Sequence, residues 1–165
     1  MRELLFYRPK MNPPGEAITL WTVRAAFACY LIALHPRLEP RRAWWTAGFA
    51  FFAAHVAAAF HFYHHWSHAA AWLDTQRQTA ALMGGRGWGG GLWFNYVFAA
   101  VWAADVARTW LGAKWGRPWR IFVQVFFAFL FFNATVVFGH GAIRWTGAAG
   151  FLWLGLLAAR NIRFR

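Results

Sequence analysis

Trp44-Trp45-Thr46-Ala47-Gly48-Phe49-Ala50-Phe51-Phe52-Ala53-Ala54-His55-Val56-Ala57-Ala58-Ala59-Phe60-His61-Phe62-Tyr63-His64-His65-Trp66 contains no Asp, Glu, Lys or Arg. At about 1.5 Å per residue, a helix of this length crosses the roughly 30 Å hydrocarbon layer of a bilayer. The rest of the chain agrees. Of its 165 residues, 60% are apolar, 21% aromatic and only 13% charged, with a mean hydropathy of +0.32. A soluble domain carries about 25% charged residues, so this chain has too little polar surface to cover its apolar content. The composition excludes a disordered chain and makes lipid part of the solvent.

Four further apolar runs flank this one. The first spans about residues 17–35 and follows a polar arm, 1–16, which closes with Pro13-Pro14-Gly15, a sequence expected to resist helix entry. It lacks the small-residue cleavage site of a signal peptide and is expected to stay in place. The second run, about 44–66, has a helical pattern that extends through the more polar 67–83. A straight helix over all of it would be twice as long as the membrane is thick, so it must bend, break or project into water. Gly84-Gly85-Arg86-Gly87-Trp88-Gly89-Gly90-Gly91 ends it as a connector and lacks the Lys-Ser/Thr of a phosphate loop. Spans at about 92–111, 121–139 and 142–159 follow, and a basic tail, 161–165, ends the chain. The fold expected is a single all-α polytopic membrane bundle over 17–160 with five transmembrane helices. Four spans plus an interfacial C-terminal helix is the alternative.

The charge pattern fits the same picture. Seventeen Lys and Arg against five acids give a net charge of +12, and the basic residues cluster at the ends of apolar runs instead of along one face. That arrangement points to anionic headgroups and away from nucleic acid. With five spans, one side collects Arg2, Arg8, Lys10, Arg77, Arg86 and Arg144. The other collects Arg37, Arg41, Arg42, Arg108, Lys114, Arg117, Arg120, Arg160, Arg163 and Arg165. The richer side is expected to be cytoplasmic, with the C-terminus inside a bacterial-type cytoplasmic membrane. Trp44, Trp45, Trp110, Trp115 and Trp119 would form one interfacial belt, and Trp66, Trp88, Trp93 and Trp145 the other. The lone Cys29 supports neither a disulfide framework nor a cysteine zinc site within one chain.

Chemistry concentrates in the histidines. On a continuous helix, His61, His64, His65 and His68 fall within an arc of about 100°, and imidazole is the commonest ligand for zinc, copper and iron. These four are the candidate metal ligands. His140 lies at the same end of the bundle in the five-span topology and would close the site. Asp74 would add a carboxylate or orient an imidazole, or else pair with Arg77. His55 sits about 120° from His61 and belongs to a different packing contact. A bis-imidazole haem, with His61 and His140 as its pair, is a weaker version, because four adjacent imidazoles exceed what one haem needs.

His61-x-x-His64-His65 resembles one histidine box of the membrane fatty-acid desaturases and hydroxylases, whose di-iron centres are assembled from several such boxes. The resemblance covers five residues. Only His35 and His140 lie outside the histidine-rich segment, so the intact set of boxes is not present in one chain.

The rival reading makes the histidines structural and the chain an accessory or scaffold subunit, packed by its Trp and Phe surface against a larger membrane complex or a second copy. Arg24, inside the first span, must snorkel, pair or face a wet interior. Asp105 is expected to pair with Arg108 on its own helix. Arg24, Asn95 and Asn133 would line one wet cavity with the histidines; the favoured alternative is that Asn95, Gln124, Asn133 and Thr135 act as hydrogen-bonding glue between helices. Ser-His-Asp geometry, paired carboxylates and a dinucleotide fingerprint are absent from the sequence, and Ser67 is poorly placed to act as a nucleophile beside His65 or His68.

Overall fold

The computed structural model describes residues 13–35, 38–139 and 141–163. Among them are six α-helices, a π-helical turn and no strand: α1 (Pro13–Leu34), α2 (Arg41–Phe62), α3 (His68–Leu82), α4 (Gly91–Leu111), α5 (Arg117–Phe132), the π turn Asn133–Val137, and α6 (Ala142–Arg163). Among the described residues, three segments are long and apolar enough to cross a membrane: Pro14–Leu34, Arg41–Phe62 and Arg117–Val137. The protein is therefore an all-helical chain with membrane-spanning capacity. Helices α4 and α6 are of similar length, 21 and 22 residues.

The five long helices alternate in direction. Gly15 at the start of α1 lies against Phe62 at the end of α2, whereas Tyr30 near the other end of α1 packs on Trp45. Phe60 stacks on Tyr96 at the start of α4, and Thr46 accepts a hydrogen bond from Trp110 Nε1 at its end. Helix α5 presents Phe127 and Phe131 to Trp102 and Phe98 of α4. Helix α6 returns against α1, with Phe151 on Phe27 and Trp153 stacked on His35.

The core is a column of rings. Tyr30, Trp45, Phe98, Trp102, Phe127 and Phe131 are all buried, and their centroids lie 4.4 to 6.2 Å apart in pairs such as Phe98–Phe127 and Tyr30–Phe127. Offset and edge-to-face contacts of this kind suit the quadrupole of each ring. Gly48 makes room for Trp102, because a Cβ there would stand 2.8 Å from Trp102 Cζ2.

Several boundaries differ from the expectation, each for a local reason. Pro13 and Pro14 enter α1, since proline is tolerated in a first turn whose N–H groups have no helical partner; residues 1–12 of the polar arm lie outside the described residues. Helix α5 begins four residues early, with Pro118 in its first turn. Helix α6 runs through Arg160 to Arg163, so part of the basic tail is helical. The π turn closes α5, and Arg144 of α6 donates from Nε to the Val136 carbonyl at 3.0 Å, satisfying a terminal acceptor.

The largest difference lies in the histidine segment. Helix α2 stops at Phe62, and residues 63–67 form a turn with His65 at φ 47° and Trp66 at φ 60°. Ser67 then caps α3, its Oγ accepting from the Ala70 N–H at 3.2 Å. The break resolves the excess length of the 44–83 pattern and lets α3 leave the direction of α2.

Of the two expected tryptophan belts, Trp44, Trp110 and Trp115 are exposed at one end, and Trp66, Trp88, Trp93 and Trp145 at the other. Trp45 departs from its belt and enters the core, and Trp119 is half-buried against it.

Candidate functional site

The break between α2 and α3 removes the single imidazole stripe. His61 occupies the last turn of α2, exposed, with its ring against Phe62 and Trp66. His64 is half-buried in the turn, edge-on to Phe60, and His65 is exposed in left-handed backbone. His68 is the first residue of α3. Its Nδ1 lies 3.0 Å from Tyr96 Oη, and its ring packs on Trp93 and Tyr96 of α4. His140 lies outside the described residues. Among the described residues, no three His, Cys, Asp or Glu side chains stand close enough together to share an ion.

Electrostatically, the turn has one focus. Burial holds the His64 imidazole below its ordinary range, the Asp74 carboxylate pulls it back up, and His65 pushes it down again. Asp74 itself accepts from Gln78 Nε2 at 2.9 Å, in place of the expected Arg77 pair. His64, His65 and Asp74 thus form a small electrostatic group on the turn and α3, while His68 is committed to α4.

His55 behaves as its offset implied. Its Nδ1 lies 2.8 Å from the Thr19 carbonyl of α1; a carbonyl only accepts, so Nδ1 carries the proton and donates. His35 stacks on Trp153 with 7° between the ring planes. Tyr96 and Thr19 are the partners that sequence reasoning missed. Neither carries a motif, and each matters only because two helices bring it to a histidine.

The remaining polar side chains of the long helices mostly close on their own backbones. Thr19 Oγ1 donates to Gly15, Thr22 to Ile18, Thr46 to Arg42, Asn133 to Phe129 and Thr135 to Phe131. Among the described residues, Asn133 and Thr135 form no interhelical hydrogen bond of the kind expected; Thr135 packs against Gly147 of α6. Asp105 and Arg108 form the expected ion pair, with Nε 2.9 Å from Oδ1. Arg24 is different: its guanidinium lies over the Trp21 ring at 4.8 Å.

Compared with protein-family models, curated proteins and solved structures, the chain has no match.

Proposed function

We propose that this chain is a five-span membrane protein acting as an accessory subunit, packed by its exterior against a larger membrane assembly. The five spans would be α1, α2, α4, α5 with its π turn, and α6. Polar α3 would lie at the surface of the outer end. The alternation of helix directions supports this, as does the concentration of Arg41, Arg42, Arg108, Lys114, Arg117 and Arg120 at one end, which is then cytoplasmic.

The observation that carries the accessory reading is how the imidazoles are used. His55 fastens α2 to α1 through Thr19, and His68 fastens α3 to α4 through Tyr96. One candidate ligand, His68, thus serves as a tie between helices, as does His55, which stood apart from the candidates. The exterior is then the richest remaining surface. An open apolar groove along α5 is lined by Ile121, Phe122, Val125 and Phe129, and Trp21, Trp93 and Trp145 are exposed on other helices. Patches of that size suit lipid or another apolar helix.

A second reading rests on His64, whose surroundings include both His65 and Asp74. Because no three described side chains converge there, His64 and His65 would supply at most two ligands of a zinc, copper or iron site, and His140 or a second copy would have to supply the rest. Purification in detergent separates the readings. Metal-free protein that co-purifies with a fixed partner supports the accessory subunit. Stoichiometric metal that disappears in the His64→Ala, His65→Ala double variant overturns it in favour of the metal site, and a Soret band would point to haem.

A further inference from the structure

We propose that Arg24 receives a carboxylate, Asp or Glu, from the middle of a partner's transmembrane helix, docked along the outward seam of α1. The inference rests on the accessory-subunit reading and names the chemistry of its partner.

Depth is the first argument. Arg24 stands ten residues from Pro14 and ten from Leu34 in a span of 21 residues. At about 1.5 Å per residue, each headgroup region is roughly 15 Å away, farther than an arginine side chain snorkels. A charge at that depth is costly and calls for a paired acceptor. The second argument is direction. Arg24 lies about 160° around the helix from Ala26, which is wholly buried, so the guanidinium is on the side opposite the core.

The third argument is its present company. Trp21 offers a ring face at 4.8 Å, which attracts the cation but accepts none of its five N–H donors in the plane of the guanidinium. Thr19 and Thr22 are spent on α1's own carbonyls. Among the described residues, the ion pairs are Arg41–Glu39 and Arg108–Asp105, and neither involves Arg24.

The fourth argument identifies the occupant as a helix. Ala17, Trp21, Arg24 and Ala28 follow one another at spacings of four, three and four, the seam of two packed helices, and all but half-buried Arg24 are exposed. Alanines above and below the arginine let a second backbone approach closely. A carboxylate at the matching depth would meet the guanidinium as a bidentate pair. A second copy supplies no such group from its described residues. Glu16 is eight residues nearer the helix end, and Asp105 is buried and already held by Arg108.

The test uses the full-length protein in phosphatidylcholine vesicles with synthetic leucine–alanine helices about 21 residues long. One probe carries Glu at its midpoint, one carries Gln there, and one carries Glu two turns away; association is read by energy transfer. The midpoint Glu probe is expected to bind at least about ten-fold more tightly than either of the others. Arg24→Leu should abolish the preference, and Arg24→Lys should keep part of it, because charge remains while the fork is lost. Equal binding of Glu and Gln probes by the unaltered protein overturns the proposal even if a variant fails to fold. So does a lipid phosphorus within about 5 Å of the guanidinium carbon by solid-state NMR, or Arg24-dependent self-association without probe. Co-purification of a fixed partner that ignores Arg24→Leu would sink this inference and leave the accessory reading standing. Stoichiometric metal bound through His64 and His65 would sink that reading.

Discussion

Tyr96 Oη and His68 Nδ1 stand 3.0 Å apart, fastening the first residue of α3 to the start of α4. The bond is exposed, so water competes for both groups and its net worth lies at the low end of the usual range, about 0.5 kcal/mol. Tyr96→Phe should therefore leave the bundle folded while roughly doubling amide exchange through the first turn of α3. Hydrogen exchange across residues 67–71 checks this. Unchanged exchange there would show that the ring contacts with Trp93 and Phe60 hold the junction by themselves.

His64 ties the same junction to pH. Its imidazole binds a proton less readily in the folded chain than in the unfolded one, first because it is partly buried and then because of His65, against the pull of Asp74. The neutral ring is thus the form that folding favours. Its stabilising contribution is complete above about pH 6.5, the ordinary imidazole value, and is lost as pH falls through the lower folded value. In chelator-treated protein, an NMR titration of the His64 ring should give a midpoint below 6.5. Asp74→Asn should lower that midpoint further and His65→Gln should raise it. A midpoint at or above 6.5 would contradict the buried placement of the ring.

Gly48 and Trp102 show how tightly the aromatic column is packed. A methyl group at position 48 would stand 2.8 Å from Trp102 Cζ2 and 3.3 Å from Cys29 Cβ, and Trp102 is 0% exposed with no room to swing aside. Gly48→Ala should cost about 1–3 kcal/mol, seen as a lower Tm in detergent. Trp102 Nε1 is buried without a hydrogen-bond partner, so Trp102→Phe sacrifices packing and no hydrogen bond. Because the smaller ring makes room for the new methyl, the double variant should lose less than the two single variants combined. Strict additivity would disprove the clash.

The fold was legible to the extent that it depends on run length and charge. The uncharged 44–62 stretch, the glycine connector and the Asp105–Arg108 pair follow from composition and spacing, because lipid solvent and i,i+3 geometry leave few alternatives. The histidine segment was less legible. Its 3.6-residue period continues through Tyr63 to Ser67, yet the backbone turns left-handed at His65 and Trp66, where no glycine or proline announces a break. The stop comes from tertiary contact: Ser67 caps a new helix whose first residue meets Tyr96, some 28 positions away in sequence. Polar residues such as Asn133 were misread for a related reason. Spacing says which face a side chain occupies, but not that a carbonyl four residues back will satisfy it first.

Arg108 joins two structures at the basic end of the bundle. Its Nε and Nη2 reach the two Asp105 oxygens at 2.9 and 3.3 Å, while Nη1 donates to the Ala113 carbonyl at 3.1 Å in the loop beyond α4. Asp105 is 8% exposed, so removing its partner leaves a carboxylate with little access to water. Arg108→Ala should cost about 1–3 kcal/mol, less than a fully buried pair because the guanidinium side still reaches solvent. Asp105→Asn should cost less, since the amide oxygen still accepts one hydrogen bond. Replacing both residues by leucine removes the desolvation cost together with the attraction, and should return stability close to that of the unaltered chain. Thermal denaturation of the four proteins in one detergent decides the matter. If the double leucine variant is the least stable, the pair contributes net attraction and Arg108 is more than a counterion.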